Sequence, residues 1–306
     1  MKNSRYILFL LCALAATGMT GCKNQNTPED KTVQKRHLTI KMNDAAGAPI
    51  KKATITDEGS TLLAEWKADD AVSYCNLSRV NTPSENLIIG TMTAASSGVK
   101  SDLNGDVECT ADDYIAVVYP SVDMSVLSCK MGDGIHGKYT INLAGQDGTL
   151  STLATHYHCV YGRAHVESVT GTTATATMDK MQSLLTICKF SFKDKATDAV
   201  LPINTLTISY GGSDSKTGKY PQSANVEVTN LTTNTAAQAV GATPSEALTI
   251  NAGGATEVYV ALLPESDKVE YKFTVTSGSN TYTGTAEAWL KKGEYVPATG
   301  LKLTKQ

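Results

Sequence analysis

ADDYIAVVYP, residues 111–120, and MQSLLTICKFSFKD, residues 181–194, are the stretches on which the fold class turns. In the first, Asp112 and Asp113 precede a continuous Tyr/Ile/Val run that Pro120 stops, which is the pattern of a strand. In the second, Leu184, Thr186, Cys188, Phe190 and Phe192 share one strand face, and Leu185, Ile187, Lys189 and Ser191 share the other. Apolar residues on both faces near Leu185 and Ile187 predict a central, well-covered strand.

Working outward, the same vocabulary recurs in short pieces. HLTIKM begins at His37, a second strand is expected from Ile50 to Ile55, and EWKADDAVSYCNL (65–77) reads as a turn followed by a strand from Ala71. LIIGTMTA (87–94) is another strand, followed by SSGVKSDLNGD, read as a polar loop. ATHYHCVYGRAHV (154–166) is either a strand or an irregular crossing segment, and 173–180 alternates weakly. After residue 194 further short strands follow, with Gly, Pro or Asn between them. Many short strands with turn residues between them, and no long 3.6-residue period, predict an all-β protein of sandwich type. A division near 165–180 gives two halves of ordinary domain size, taken as 37–168 and 169–306.

Composition agrees. Of 306 residues only 19% are charged, and thirteen tyrosines outnumber four phenylalanines. Hydroxyl-rich and β-branched residues suit sheets with a wet face.

The N-terminus reads differently. Lys2 and Arg5, an apolar run from Tyr6 to Ala16 and then small residues describe a secretory signal peptide over 1–21. The run is too short to span a bilayer as a helix. An ordinary signal-peptidase site is the plainer alternative, but Met19-Thr20-Gly21-Cys22 resembles a bacterial lipoprotein box, with cleavage between Gly21 and Cys22 and acyl chains on Cys22. Residues 22–36, CKNQNTPEDKTVQKR, lack an apolar period and are expected to form a flexible tether or propeptide. Without the leader, 25 basic residues face 30 acidic ones, a formal −5. No arginine-rich stripe or lysine block is present to neutralise phosphates, so no nucleic-acid partner is expected.

Seven cysteines include Cys12 in the leader and Cys22. The remaining Cys75, Cys109, Cys129, Cys159 and Cys188 are odd in number, so at least one stays unpaired or pairs outside the chain. Buried thiols acting as small hydrophobes are the expectation for Cys188 and Cys75.

Candidate chemistry is sparse. Asp102, Asn104, Asp106 and Glu108 alternate oxygen ligands as the start of a weak calcium loop does, but Val107 stands where such a loop needs glycine, and a solvated acidic loop is the better reading. His156 and His158 would share a strand face, while Cys159 would point away; hydrogen-bonding strand residues are preferred to a metal site. Trp66 and Trp289 could stack on sugars, or close the ends of a sandwich core. No nucleophile elbow, zinc-protease helix motif or phosphate loop occurs, so a non-enzyme without cofactors is expected.

Several segments carry a family resemblance. EWKADDAVSYCNL, YIAVVYP, YTINLAGQDGTLSTL, MQSLLTICKFSF, VYVALLP and LKKGEYVPATGLKL, in this order behind the lipoprotein box, resemble the fimbrillin-like lipoproteins of Bacteroidota, the subunits of surface fimbriae. Met181-Gln182 departs from a family preference for histidine before that strand. The resemblance implies two tandem transthyretin-like, Greek-key β-sandwich domains at the outer membrane, and partners among other fimbrial subunits and a host or bacterial surface ligand. It also implies trimming by an arginine-specific protease, with Arg36-His37 as the carried-over site, and polymerisation by strand donation. Residues 294–306 are either the donor or the last strand of their own domain.

Overall fold

The computed structural model describes residues 34–42, 54–78, 89–121, 137–178, 181–228 and 238–306. The signal peptide with its cleavage site, Cys22 and Cys129 lie outside these residues. Twenty strands, numbered along the chain, are present among them.

The first module is a sheet of β10 (Thr173–Met178), β1 (Gln34–Met42), β6 (Leu103–Cys109), β5 (Ile89–Ala94), β4 (Ala71–Asn76), β7 (Tyr114–Tyr119), β9 (Val160–Thr170) and β11 (Gln182–Ser183), in that spatial order. A further ladder between β9 and β10 joins the sheet to itself, so seven strands close into a barrel. Closure removes the exposed edges that an open sheet would leave. Strand alternation fills the interior: Leu38, Ile40 and Met42 from β1 meet Val72, Met92, Leu103, Ile115 and Val117. The run YIAVVY is apolar on both faces for a reason now visible. Ile115 and Val117 enter the barrel, whereas Ala116 and Val118 face outward into the core shared with the rest of the molecule.

The second module follows the order β16 (Leu248–Ala255), β13 (Ile203–Tyr210), β18 (Val269–Ser277), β19 (Asn280–Ala288), β20 (Tyr295–Lys305), β12 (Thr186–Asp194) and β17 (Val258–Leu262). Phe190 on β12 lies 5.3 Å from Phe273 on β18, ring centre to ring centre, although β20 and β19 separate those strands in the sheet. The sheet therefore curls over itself and packs its faces around the Phe190, Phe192 and Phe273 cluster. Strand β20 makes the turn between layers, pairing parallel with β12 and, at Thr304 and Lys305, antiparallel with β19. The C-terminal segment is thus the last strand of its own module, with Leu303 buried.

The architecture is nearly all β with barrel-like and sandwich-like sheets, as the alternation predicts. The division expected at 168/169 falls inside β9, because β10 returns to the barrel and the sheet changes only between Ser183 and Thr186. Nor are the halves separate. Strand β8 (Gly137–Asn142) pairs with β14 (Ser223–Val228), which also carries β15 (Gln238–Gly241). The hairpin of β2 (Thr54–Asp57) and β3 (Leu62–Glu65) contributes Ile55 and Ala64 to the core containing Leu184, Ile187 and Val260.

One expectation needs correction, and one open choice is resolved. SSGVKSDLNGD is not all loop: from Leu103 it is strand β6, held along its length by β1. Both readings of ATHYHCVYGRAHV hold in part: Leu150–Thr152 is a helical turn, α1, capped by the Thr149 side chain, it continues as a π-helix over Leu153–Tyr157, and strand β9 follows from Val160.

Candidate functional site

Strand β1 is the element on which an assembly reading depends. It begins at Gln34 and not at His37, so Arg36 belongs to the barrel and not to a tether. Alternation sends Arg36 inward with Leu38 and Ile40, and it is 1% exposed. A buried guanidinium is tolerated only when hydrogen-bonded. Here Nε donates to Gly171 O at 3.1 Å, and Nη1 donates to Cys109 O and, at 3.5 Å, to Gln34 O. The side chain thereby ties the start of β1 to the β9–β10 turn and to the end of β6. His37 faces out; its N–H donates to Thr172 O at 2.8 Å, and its ring lies 3.2 Å from Asp106 Oδ1. In the folded chain the Arg36–His37 bond is therefore mid-strand, with its side chain locked inside.

The proposed calcium ligands are recruited to this neighbourhood for another purpose. Asn104, Asp106 and Glu108 lie along one face of β6, and strand spacing keeps them from wrapping an ion. Asn104 Oδ1 accepts from Thr39 Oγ1 at 2.9 Å, and Asp106 pairs with His37 and Lys35. Asp102 precedes the strand, with its carbonyl bonded to Ala95 N–H. No metal-holding cluster of His, Cys, Asp and Glu occurs among the described residues. His156 is exposed on the π-helix and His158 buried beyond it, so they do not share a face. Trp66 is buried against Tyr119, edge to face at 5.9 Å, and closes the barrel core. Trp289 is not a core lid: it is 52% exposed. Cys75, Cys109, Cys159 and Cys188 are buried.

Sequence reading missed the contacts that lock the modules together. Lys189 Nζ lies 2.9 Å from Asp57 Oδ2 and 3.0 Å from Glu257 Oε2, and Tyr259 donates its hydroxyl to Asp57 at 2.8 Å. Burial alone would raise the Asp57 carboxyl, but hydrogen bonds from Lys189, Tyr259 and Gly59 N–H outweigh it and hold it at about 2. Bonds from Asp57 and Glu257 push Lys189 up in turn. Both partners are held in their charged forms, so the contact is an ion pair. The available signal was a lysine at the centre of the otherwise apolar TICKFSF.

Gln146 was visible only as a member of a motif. Its buried amide donates to Leu143 O and Ala261 O and accepts from Ala261 N–H at 2.7 Å, behaving as an extra residue along the outer edge of β17. Gly148 O takes Tyr259 N–H at 2.9 Å on the same edge.

No family model matches the chain, and no curated protein does. Among solved structures, a candidate cell adhesion protein from Bacteroides uniformis ATCC 8492 is similar with a TM-score of 0.52 at 14% identity, over 89% of this chain and 96% of that one. A second candidate cell adhesion protein, from Bacteroides eggerthii DSM 20697, gives 0.37 at 12% identity over 88% of each chain. The shaft pilin SpaA from Lactobacillus rhamnosus GG gives 0.31 at 11%, over 90% and 98%. The first of these likenesses identifies a shared fold across nearly the whole of both chains.

Proposed function

We propose that this chain is a structural subunit of cell-surface fimbriae, tethered at the outer membrane through acylated Cys22 and assembling by strand complementation to mediate adhesion. The observation that carries the reading is the seat of β1. It lies between a parallel partner, β10, and an antiparallel one, β6, and sends Leu38, Ile40 and Met42 into the barrel. Withdrawal of such a strand leaves two open edges facing an apolar slot, which an alternating strand of a second copy fits. Each aliphatic side chain re-buried there is worth about 1.5–3 kcal/mol. A contact of that kind joins different surfaces of two copies and propagates as a filament. The fold shared with a candidate adhesion protein is consistent with this role. Because β20 is already paired with β12 along its length and with β19 at Thr304 and Lys305, a tip or accessory position fits better than the stalk.

The test is incubation with an arginine-specific protease, with N-terminal sequencing and electrophoresis without boiling. Cleavage after Arg36 accompanied by a ladder of SDS-resistant oligomers supports the reading. A cleaved product that stays monomeric at high concentration removes it. The second reading is a surface lipoprotein that binds glycan or protein without polymerising, favoured by the exposed Trp289. A monomer that retains residues 22–36 would point there.

A further inference from the structure

The second module carries a depression of about 590 Å3 away from β1. Tyr210, Pro221, Pro244 and Pro264 contribute rings to its lining. Tyr210 and Pro221 are buried at its base, and Pro244 and Pro264 present half-buried rings, which lose no rotamer freedom when a ligand packs on them. Tyr210 is fixed from below by Tyr220 and Tyr271, with ring centres 5.2 and 6.1 Å away.

The charged groups are few and placed. Glu265 Oε1 accepts the Tyr210 hydroxyl at 2.7 Å, leaving the second carboxylate oxygen as an acceptor. Lys216 and Lys219 also line the depression and offer ammonium donors. Beside it, Trp289 Nε1 donates to Glu265 O at 2.9 Å, which fixes an indole that is 52% exposed. The exposed large apolar side chains among the described residues are Val99, Val200 and Trp289, so an aromatic ring held at the surface here is exceptional. Lys291 Nζ lies 4.8 Å from that ring.

A concave site of a few hundred Å3, apolar in its walls with a small set of directional polar groups, suits a small ligand and not an extended protein surface. We propose that this depression binds a pyranose unit of a glycan. A pyranose has C–H faces that pack on the half-buried Pro244 and Pro264 rings and a rim of hydroxyls that can donate to Glu265 and accept from Lys216 and Lys219. Trp289 gives the next unit of the chain a platform. Asp214 stands near the lysines, held by Lys216 N–H at 2.8 Å, so the local charge does not choose between neutral and acidic sugars.

The inference concerns what the subunit touches and holds equally for a monomer. The test is an array of neutral, uronate-bearing and sialate-bearing glycans probed with the biotinylated protein clustered on streptavidin, which amplifies weak single-site binding. Glycans retained are then titrated in solution by tryptophan fluorescence. Trp66 is buried in the barrel, so a ligand-dependent change reports Trp289. Glu265→Gln, which keeps an acceptor for Tyr210, is expected to weaken binding about tenfold, the effect of roughly one charged hydrogen bond. Trp289→Ala should remove the fluorescence response, and the exposed Lys216→Ala should weaken acidic glycans more than neutral ones. A flat array overturns the inference, as does glycan binding that survives both Glu265→Gln and Trp289→Ala unchanged. Neither result touches the oligomer ladder, so the two readings fail separately.

Discussion

Lys189 Nζ on β12 stands 2.9 Å from Asp57 Oδ2 on β2, so one ion pair joins a hairpin from the first half of the chain to the opening strand of the second. Both side chains are largely shielded, at 15% and 12% exposure, which separates this pair from the surface pairs elsewhere in the molecule. Removing either partner leaves the other charge poorly solvated. Asp57→Asn or Lys189→Met is expected to cost about 2–3 kcal/mol in urea unfolding. In a double-mutant cycle the double variant should lose less than the sum of the two single losses; additive losses would mean that the contact contributes nothing.

The same pair predicts an acid transition. The folded Asp57 carboxyl is held at about 2, below its ordinary 3.8. A depressed carboxyl contributes stability above the unfolded value and loses it as pH falls from near 4 towards 2. The amount is on the order of 2 kcal/mol. Unfolding free energies across that range should show a steeper decline for the parent chain than for Asp57→Asn, and parallel curves would exclude the linkage.

Gln146 and Gly148 seal the outer edge of β17, and their roles differ. Gln146→Ala strands the N–H and C=O of Ala261 in a buried place and should cost about 2–3 kcal/mol, with faster hydrogen exchange at Ala261. Gly148 has φ +78, and an added Cβ would lie 2.9 Å from Val258 Cβ. Gly148→Ala therefore adds backbone strain of about 1–3 kcal/mol to a steric conflict. Equal thermal stability of the variant and the parent would show that the edge is not closed in this way.

How much of this was legible follows from what is local. The alternation of HLTIKM and the two-faced run YIAVVYP foretold strands, because side-chain period depends only on neighbouring residues. The two apolar faces near Leu185 and Ile187 likewise foretold a covered strand. Arg36 misled because, beside a polar segment, a basic residue reads as solvated, and only the register of β1 against β6 and β10 turns it inward. The boundary misled similarly: β10 has weak alternation of its own, and its place is set by pairing with β1, far away in sequence. The acidic DLNGDVE run read as loop because its outward carboxylates mask a strand whose other face holds Leu103 and Val107. Lys189 stood out as a charge within TICKFSF, but its partner Asp57, and the pairing of Glu265 with Trp289, have no signature short of the folded structure.

Cys188 gives a further check on the shared core. It is fully enclosed between the sheets, and burial pushes its thiol far above the ordinary range. The reactive thiolate is therefore scarce, and access is blocked as well. Mapping of maleimide adducts by mass spectrometry should find Cys188 unmodified in the native protein and modified in urea. Native modification would show that the core opens there.

Arg36 offers the sharpest outcome, because burial and susceptibility to cleavage make opposite demands. A protease that recognises arginine needs the side chain in its own pocket and several flanking residues extended in its cleft. In the barrel that side chain is 1% exposed and donates to carbonyls on β1, β6 and the β9–β10 turn. Cleavage after Arg36 should therefore require β1 to leave its seat, and its rate should follow the population of that open state. Two expectations result. Sub-denaturing urea should accelerate cleavage at Arg36, and Leu38→Ala, which weakens β1 in the barrel by about 2–5 kcal/mol, should accelerate it in buffer alone. Arg36→Lys, retaining charge but not the planar donor fork, should loosen β1 while abolishing the cut. Cleavage at a rate indifferent to urea and to Leu38→Ala would mean that β1 stands open in solution. The locking role assigned to Arg36 would then be lost.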